Sequence, residues 1–331
     1  MPDMTAPLKV GANLWNQYTD WPGFLGAMIR ADDLGYDSLW TWDHVYPIAG
    51  SPEGPILEAY TAMAAVASRT KRATIGHLVG ANTFRNPALL AKMVTTIDHI
   101  SGGRAVLGIG AAWMELEHEA FGFEFGDRPG TRLKWLAQAL PIVRGMLDGT
   151  TPSAPEGGRY HVRSVRNDPR PIQRHVPIMI GGSGRKVTLK LVAEYADMNN
   201  LGNPIEPLLD AEAALLGHCR TVGRDEKTIE RTVEVQRVVI RDDTAAAWAR
   251  EREILAHNGG AQLDEVRPGS TEVNSDRAVV GTPDEVFAQL RPFVEAGYRH
   301  LICGFPPPYD EESMRRLATE VRPRLEGIAI G

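Results

Sequence analysis

Cysteine is nearly absent from this chain of 331 residues, which has two, Cys219 and Cys303. Two thiols cannot build a disulfide framework or a cysteine-rich metal site, and their scarcity fits a reducing cytoplasm. No apolar run reaches the ~18 residues of a membrane span, and the start MPDMTAPLKVG lacks a basic segment followed by an apolar one. Neither a membrane helix nor a signal peptide is expected. There is no Lys/Arg block and the net charge is −6, which argues against a nucleic-acid groove or an anionic membrane as partner. The 9 histidines form no His-x-His pair and no His-Glu-x-x-His helix, so no metal site is expected. Glu115 and His118, three apart, read as a solvated helix face.

What the chain does have is 43% apolar residues, enough for one large core. Short β-rich runs alternate with longer amphipathic ones, the pattern of βα units around a parallel sheet. Strands are expected at 8–14, 38–42, 73–79, 105–109, 177–180, 198–201, 232–240 and 300–303. Helices are expected at 23–34, 56–68, 87–100, 131–147, 185–196, 207–221, 244–257 and 283–296, with a closing helix at 311–325. Pro87 and Pro283 suit first helical turns, Thr282 an N-cap and Gly297 a C-terminal stop. Eight βα units predict an α/β fold, a (β/α)8 TIM barrel with insertions, as one domain over 1–331. A doubly wound sheet competes, but its early Gly-x-Gly-x-x-Gly is missing from GANLWN at 11–16. Segments 150–176 and 259–278 fall outside the units and read as excursions.

In such a barrel the loops after the strands build the site. Those positions hold Asn13 to Gln17, Asp43-His44, Gly80 to Thr83, Gly110 to Trp113, Gly181 to Gly184, Asn199-Asn200 and Gly304 to Pro307. Each glycine alone could be a tight turn; together at one rim they predict a mouth for a flat ligand. The stretch PIMIGGSGRK is a strand, a glycine turn and a helix start, where bare N–H groups with Ser183 and Arg185 could cradle a phosphate. His44 is either a satisfied structural group or a proton donor and acceptor, with Asp43 orienting its ring or meeting the ligand. Trp15, Trp42 and Trp113, with Trp40, either wall an apolar pocket or cap the core.

The blocks WDHVYP (42–47), TIGHLVGANTFRNPALLAKMVTTIDHISGGRAVLGIGAAW (74–113), EHEAFG (117–122), PIMIGGSGRK (177–186), EYADMNN (194–200) and VGTPDEV (280–286) give the chain a family likeness. It resembles the luciferase-like (LLM class) oxidoreductases, most closely their branch dependent on coenzyme F420. The resemblance covers residues 8 to 325 and implies a barrel whose mouth holds the deazaflavin or FMN. It implies His44 beside the reactive ring edge and Asp43 against the ring system. A non-prolyl cis peptide is implied near Leu78-Val79, behind the ring, and a phosphate loop at Gly181–Gly184. The cofactor-binding set is then Asp43, Leu78, Val79, Gly80, Asn82, Gly110, Ala111, Gly181, Gly182, Ser183, Gly184 and Arg185. Asn13, Trp15, Gln17, Trp42 and Trp113 are expected in the substrate pocket. Sugar-phosphate dehydrogenases of this class carry acidic residues where Gln17 and Trp113 stand, which points to a more apolar substrate.

The expected activity is hydride transfer between deazaflavin C5 and a small organic substrate, an alcohol or a C=C, C=O or C=N bond, with His44 and Asp43 as catalytic residues. A two-component monooxygenase using reduced FMN and oxygen is the alternative, and a non-catalytic binder of such a cofactor a second. Expected partners are the small-molecule substrate and a separate enzyme that recycles the cofactor; a homodimer is left open.

Overall fold

The computed structural model describes residues 6–202, 205–260 and 278–328. Its strands are β1 (Lys9–Leu14), β2 (Ser38–Thr41), β3 (Thr74–His77), β4 (Gly80–Ala81), β5 (Leu107–Gly110), β6 (Ile178–Gly181), β7 (Met198–Gly202), β8 (Glu230–Val235), β9 (Arg237–Ile240), β10 (Ala278–Gly281) and β11 (His300–Phe305). Nine of them form one parallel sheet in the order β3-β2-β1-β11-β8-β7-β6-β5-β4. A parallel bridge between Ile75 and Ala105 brings β3 back to the segment entering β5. The sheet therefore curls into a nearly closed barrel. Since β3 and β4 are two pieces of one stave, interrupted at Leu78-Val79, the barrel has eight staves.

The helices are α1 (Trp21–Asp33), α2 (Ala59–Arg69), α3 (Pro87–Ser101), α4 (Glu115–Phe121), α5 (Pro129–Leu147), α6 (Thr188–Tyr195), α7 (Ile205–Val222), α8 (Thr244–His257), α9 (Pro283–Glu295), α10 (Glu311–Arg316) and α11 (Arg322–Glu326). Their ends follow local chemistry. Asn86 accepts from the Ala88 N–H ahead of Pro87, and Gly102 closes α3 at φ 70°. Thr282 and Glu285 form a reciprocal capping box on α9.

Strand residues alternate between two cores, as a period of two requires. Ile178 and Ile180 join the large cluster shared with the helices, whereas Met179 joins Trp40, Leu78, Val106, Met198 and Ile302 in the barrel interior. That inner plug fills the barrel and leaves its carboxyl-terminal end to form a cavity.

Two expectations need correction. The run 232–240 is two strands, because the chain turns out of the barrel at Gln236, whose carbonyl packs so close to Gly304 that a Cβ there would collide. The second piece, β9, pairs in parallel with β10, a four-residue strand too short to stand out in the sequence. The closing helix is interrupted by a wide π turn over Leu317–Val321. Of the expected excursion at 259–278, residues 261–277 lie outside the described residues.

Candidate active site

Asp43 and His44 follow β2 after Trp42, and the ends of β4, β5, β6 and β7 bring Gly80-Ala81, Gly110, Gly181 and Gly202 to the same rim. Together they border a cavity of about 580 Å³. Of the site residues named from the sequence, Trp15, Trp42, Asp43, His44, Leu78, Val79, Gly80, Gly110, Ala111, Trp113, Gly181, Gly182 and Ser183 line it. Ala112 and Asn200, within the rim stretches named from the sequence, also line it, as do Leu201, Leu208, Glu234 and Gln236, which the sequence did not point to.

The Leu78-Val79 peptide is cis. Val79 then stands in a niche made by glycine: a Cβ on Gly110 or on Gly181 would lie 2.8 Å from its Cγ2. These two glycines therefore make room for Val79. On the neighbouring wall, a Cβ on Gly80 would meet the Gly108 carbonyl at 2.7 Å and the Tyr60 hydroxyl at 2.8 Å.

His44 owes its orientation to a residue that sequence reasoning did not single out. Glu117, on α4 and fully buried, receives His44 Nδ1 at 2.9 and 3.0 Å on its two carboxylate oxygens and also accepts the Val45 N–H at 3.1 Å. A carboxylate there makes Nδ1 the protonated nitrogen and leaves Nε2 for a ligand. Glu117 sits in the first turn of α4.

Asp43 does not orient His44. Its Oδ2 accepts from the Ala81 N–H at 2.8 Å and from Arg85 Nη1 at 2.7 Å, while Oδ1 accepts from Arg85 Nη2 at 3.0 Å. Arg85 Nη2 also meets Glu58 at 2.7 Å, and the guanidinium lies 4.2 Å from the Tyr60 ring centre. Burial opposes the Arg85 charge, but Asp43 and Glu58 outweigh it and hold its pKa above the ordinary value. The pair is a fixed acceptor at the cavity wall. Beneath it Tyr60 stacks on His77 with ring centres 3.8 Å apart, and burial pushes the His77 pKa down to about 4.

Five expected residues are not among those lining the cavity. Gln17 is fully buried and spends its amide on the backbone of Ile48 and Ala49. Asn13 donates to Glu234 at 3.3 Å, and Asn82 donates to the Tyr160 hydroxyl at 2.9 Å. Arg185 leaves the turn for Asp210, at 2.7 Å on the exposed surface, and Gly184 lies outside as well. Helix α6 starts only at Thr188, and the Gly182 N–H is donated to the Asn200 carbonyl. The cradle at the cavity thus reduces to Gly181 to Ser183. The Glu115/His118 reading also fails: His118 is buried, donates Nδ1–H to the Met114 carbonyl and accepts at Nε2 from Thr83. Its lowered pKa, caused first by burial, agrees with a neutral ring.

The aromatic residues form one wall. Trp15 and Trp42 lie 4.3 Å apart, and Trp113 is 5.4 Å from the His44 ring. Among the described residues, no group of three or more metal-ligating side chains occurs and no helix is long and apolar enough to cross a membrane.

Residues 15–300 match the family model described as luciferase-like monooxygenase. The chain belongs to this family. It is 29% identical to an F420-dependent glucose-6-phosphate dehydrogenase of Microbacterium testaceum (strain StLB037), over 97% of this chain and 98% of that protein. It is 26% identical to the 4-hydroxyprotoasukamycin monooxygenase of Streptomyces nodosus subsp. asukaensis, over 91% of this chain and 85% of that protein. In structure it resembles an F420-dependent secondary alcohol dehydrogenase solved with an F420-acetone adduct, at TM-score 0.81 and 20% identity, covering 97% and 99% of the two chains. That likeness supports the fold of this luciferase-like family member.

Proposed function

We propose that the protein is a coenzyme F420-dependent oxidoreductase that moves a hydride between the cofactor and a small organic substrate, with His44 handling the accompanying proton. The observation that carries the reading is the buried Glu117 holding His44 in the wall of a cavity floored by bare backbone. The name of the Microbacterium relative supports the choice of cofactor.

The residues present fit such a cofactor. A flat ring system needs a slot free of side chains, which Gly80-Ala81, Gly110 to Ala112 and Gly181-Gly182 provide. Asp43, held by Arg85, is an acceptor for an N–H on the ring edge. Ser183, at the wall, fits a phosphate oxygen. Arg185 is turned to Asp210, so this turn suits the single charge of a phosphodiester better than the nearly dianionic phosphate of FMN.

When bound, the deazaflavin supplies a carbon that takes up or releases a hydride. His44 does the rest. Its Nε2 lone pair can take the proton of a substrate hydroxyl, and Glu117 then stabilises the imidazolium. In the reverse direction the same nitrogen returns the proton. The aromatic wall of Trp15, Trp42 and Trp113 excludes water beside that transfer. A separate enzyme recycles the cofactor.

A second reading, a monooxygenase using reduced FMN and oxygen, is favoured by the likeness to the Streptomyces monooxygenase. The His44→Ala variant tests the first reading. It should bind F420 within a few-fold of wild type while turnover, followed by deazaflavin absorbance, falls ~10²–10⁴-fold. Near-wild-type turnover would make His44 a structural residue.

A further inference from the structure

The wall beside His44 is apolar to some depth. Trp15, Trp42, Ile48, Ala49 and Met114 form one buried cluster, with Trp113 and Tyr46 packed against it. Trp113 faces the cavity with its ring centre 5.4 Å from the imidazole and its plane tilted 64°. A molecule whose reacting atom meets His44 must therefore rest its body on indole surface.

The charges around the cavity point the same way. The ionisable side chains among its described lining residues are Asp43, His44 and Glu234, with no Lys or Arg. Arg85, behind Asp43, is committed to that carboxylate and to Glu58. His44 already has the carboxylate of Glu117 on its other nitrogen. A phosphate monoester carries nearly two negative charges and is recognised by clustered Arg or by free backbone donors. In the turn that lines the cavity, Gly181 to Ser183, the Gly182 N–H is spent on the Asn200 carbonyl and Ser183 is assigned above to the cofactor phosphate.

We infer that the substrate is an uncharged molecule with a flat, apolar body next to its reacting carbon, that Trp113 selects for that body, and that sugar phosphates are not substrates. This rests on the proposed cofactor reading, and it separates the protein from the sugar-phosphate activity in the name of its Microbacterium relative.

The test uses the full chain loaded with F420 and two probes, 2-naphthol and glucose 6-phosphate, each measured by equilibrium dialysis. The same preparations are assayed for reduction of the cofactor by glucose 6-phosphate. We expect 2-naphthol to bind at least tenfold more tightly than glucose 6-phosphate, with no cofactor reduction by the sugar phosphate. Trp113→Ala should weaken 2-naphthol tenfold or more and Trp113→Phe only a few-fold, because a smaller ring keeps part of the contact. Tighter binding or oxidation of glucose 6-phosphate overturns the inference. So does failure of 2-naphthol to bind, or indifference of its affinity to both Trp113 variants. Loss of F420 binding by the wild-type chain would instead fall on the cofactor reading.

Discussion

Glu117 and His44 are 73 residues apart in sequence, yet both carboxylate oxygens of the first lie within 3.0 Å of Nδ1 of the second. The glutamate is fully buried and the histidine side chain is 11% exposed, so the pair is closed on the protein side and open on the cavity side. An imidazole held this way keeps one tautomer and one direction, which a proton-transfer group requires.

Removing the charge of Glu117 while keeping its shape should expose that role. Glu117→Gln is expected to lower turnover ~10²–10³-fold, because an amide cannot stabilise the imidazolium as a carboxylate does. F420 affinity should stay within a few-fold. Steady-state rates and cofactor titration on one preparation check this, and equal losses in both would make Glu117 a packing residue.

The niche around Val79 makes a second prediction. Gly181→Ala places a methyl 2.8 Å from Val79 Cγ2, an overpacking that costs about 1–3 kcal/mol. Val79→Ala removes the obstructing methyls, so the double variant should lose less stability than the two single losses added together. Urea unfolding of the four proteins checks the coupling; simple additivity would contradict the contact.

His77 makes stability depend on pH. Burial lowers its folded pKa from 6.5 to about 4. Between those values the unfolded chain binds a proton that the folded chain refuses, so stability falls as pH falls from 6.5 towards 4 and is unaffected above that window. The contribution is about 3 kcal/mol across the full shift. His77→Phe, which can still stack on Tyr60, should show a shallower loss over this range in urea unfolding at a series of pH values. An unchanged slope would assign the acid sensitivity to other groups.

How much of this could be read in the sequence depended on the range of the interaction. The eight staves were legible because each is a compact apolar run between turn residues, and Thr282-Pro283 marked the start of α9 unaided. The division at Gln236 was not, because Arg237–Ile240 continues the β-rich run without a turn residue. Local reasoning at the rim found Asp43 and His44 but not their partners. Glu117 and Arg85 reach them from 73 and 42 residues away, and neither spacing leaves a periodic trace. Helical spacing on α4 drew attention to Glu115 and His118, although the fold turns His118 inward to Thr83 and Glu117 to His44. Gln17, Asn13 and Asn82 shared the rim address of true lining residues. Gln17 faces backbone, Asn82 the buried Tyr160 and Asn13 the cavity-lining Glu234 instead, a choice made by tertiary packing alone.

The most direct test of the central claim is a titration of the purified protein with coenzyme F420 and with FMN, followed by tryptophan fluorescence. Trp15, Trp42 and Trp113 line the cavity, so a ring bound there must quench them. Saturable quenching by F420 is expected at concentrations at least tenfold below those needed for FMN. Saturable quenching by FMN with none by F420 would contradict the claim.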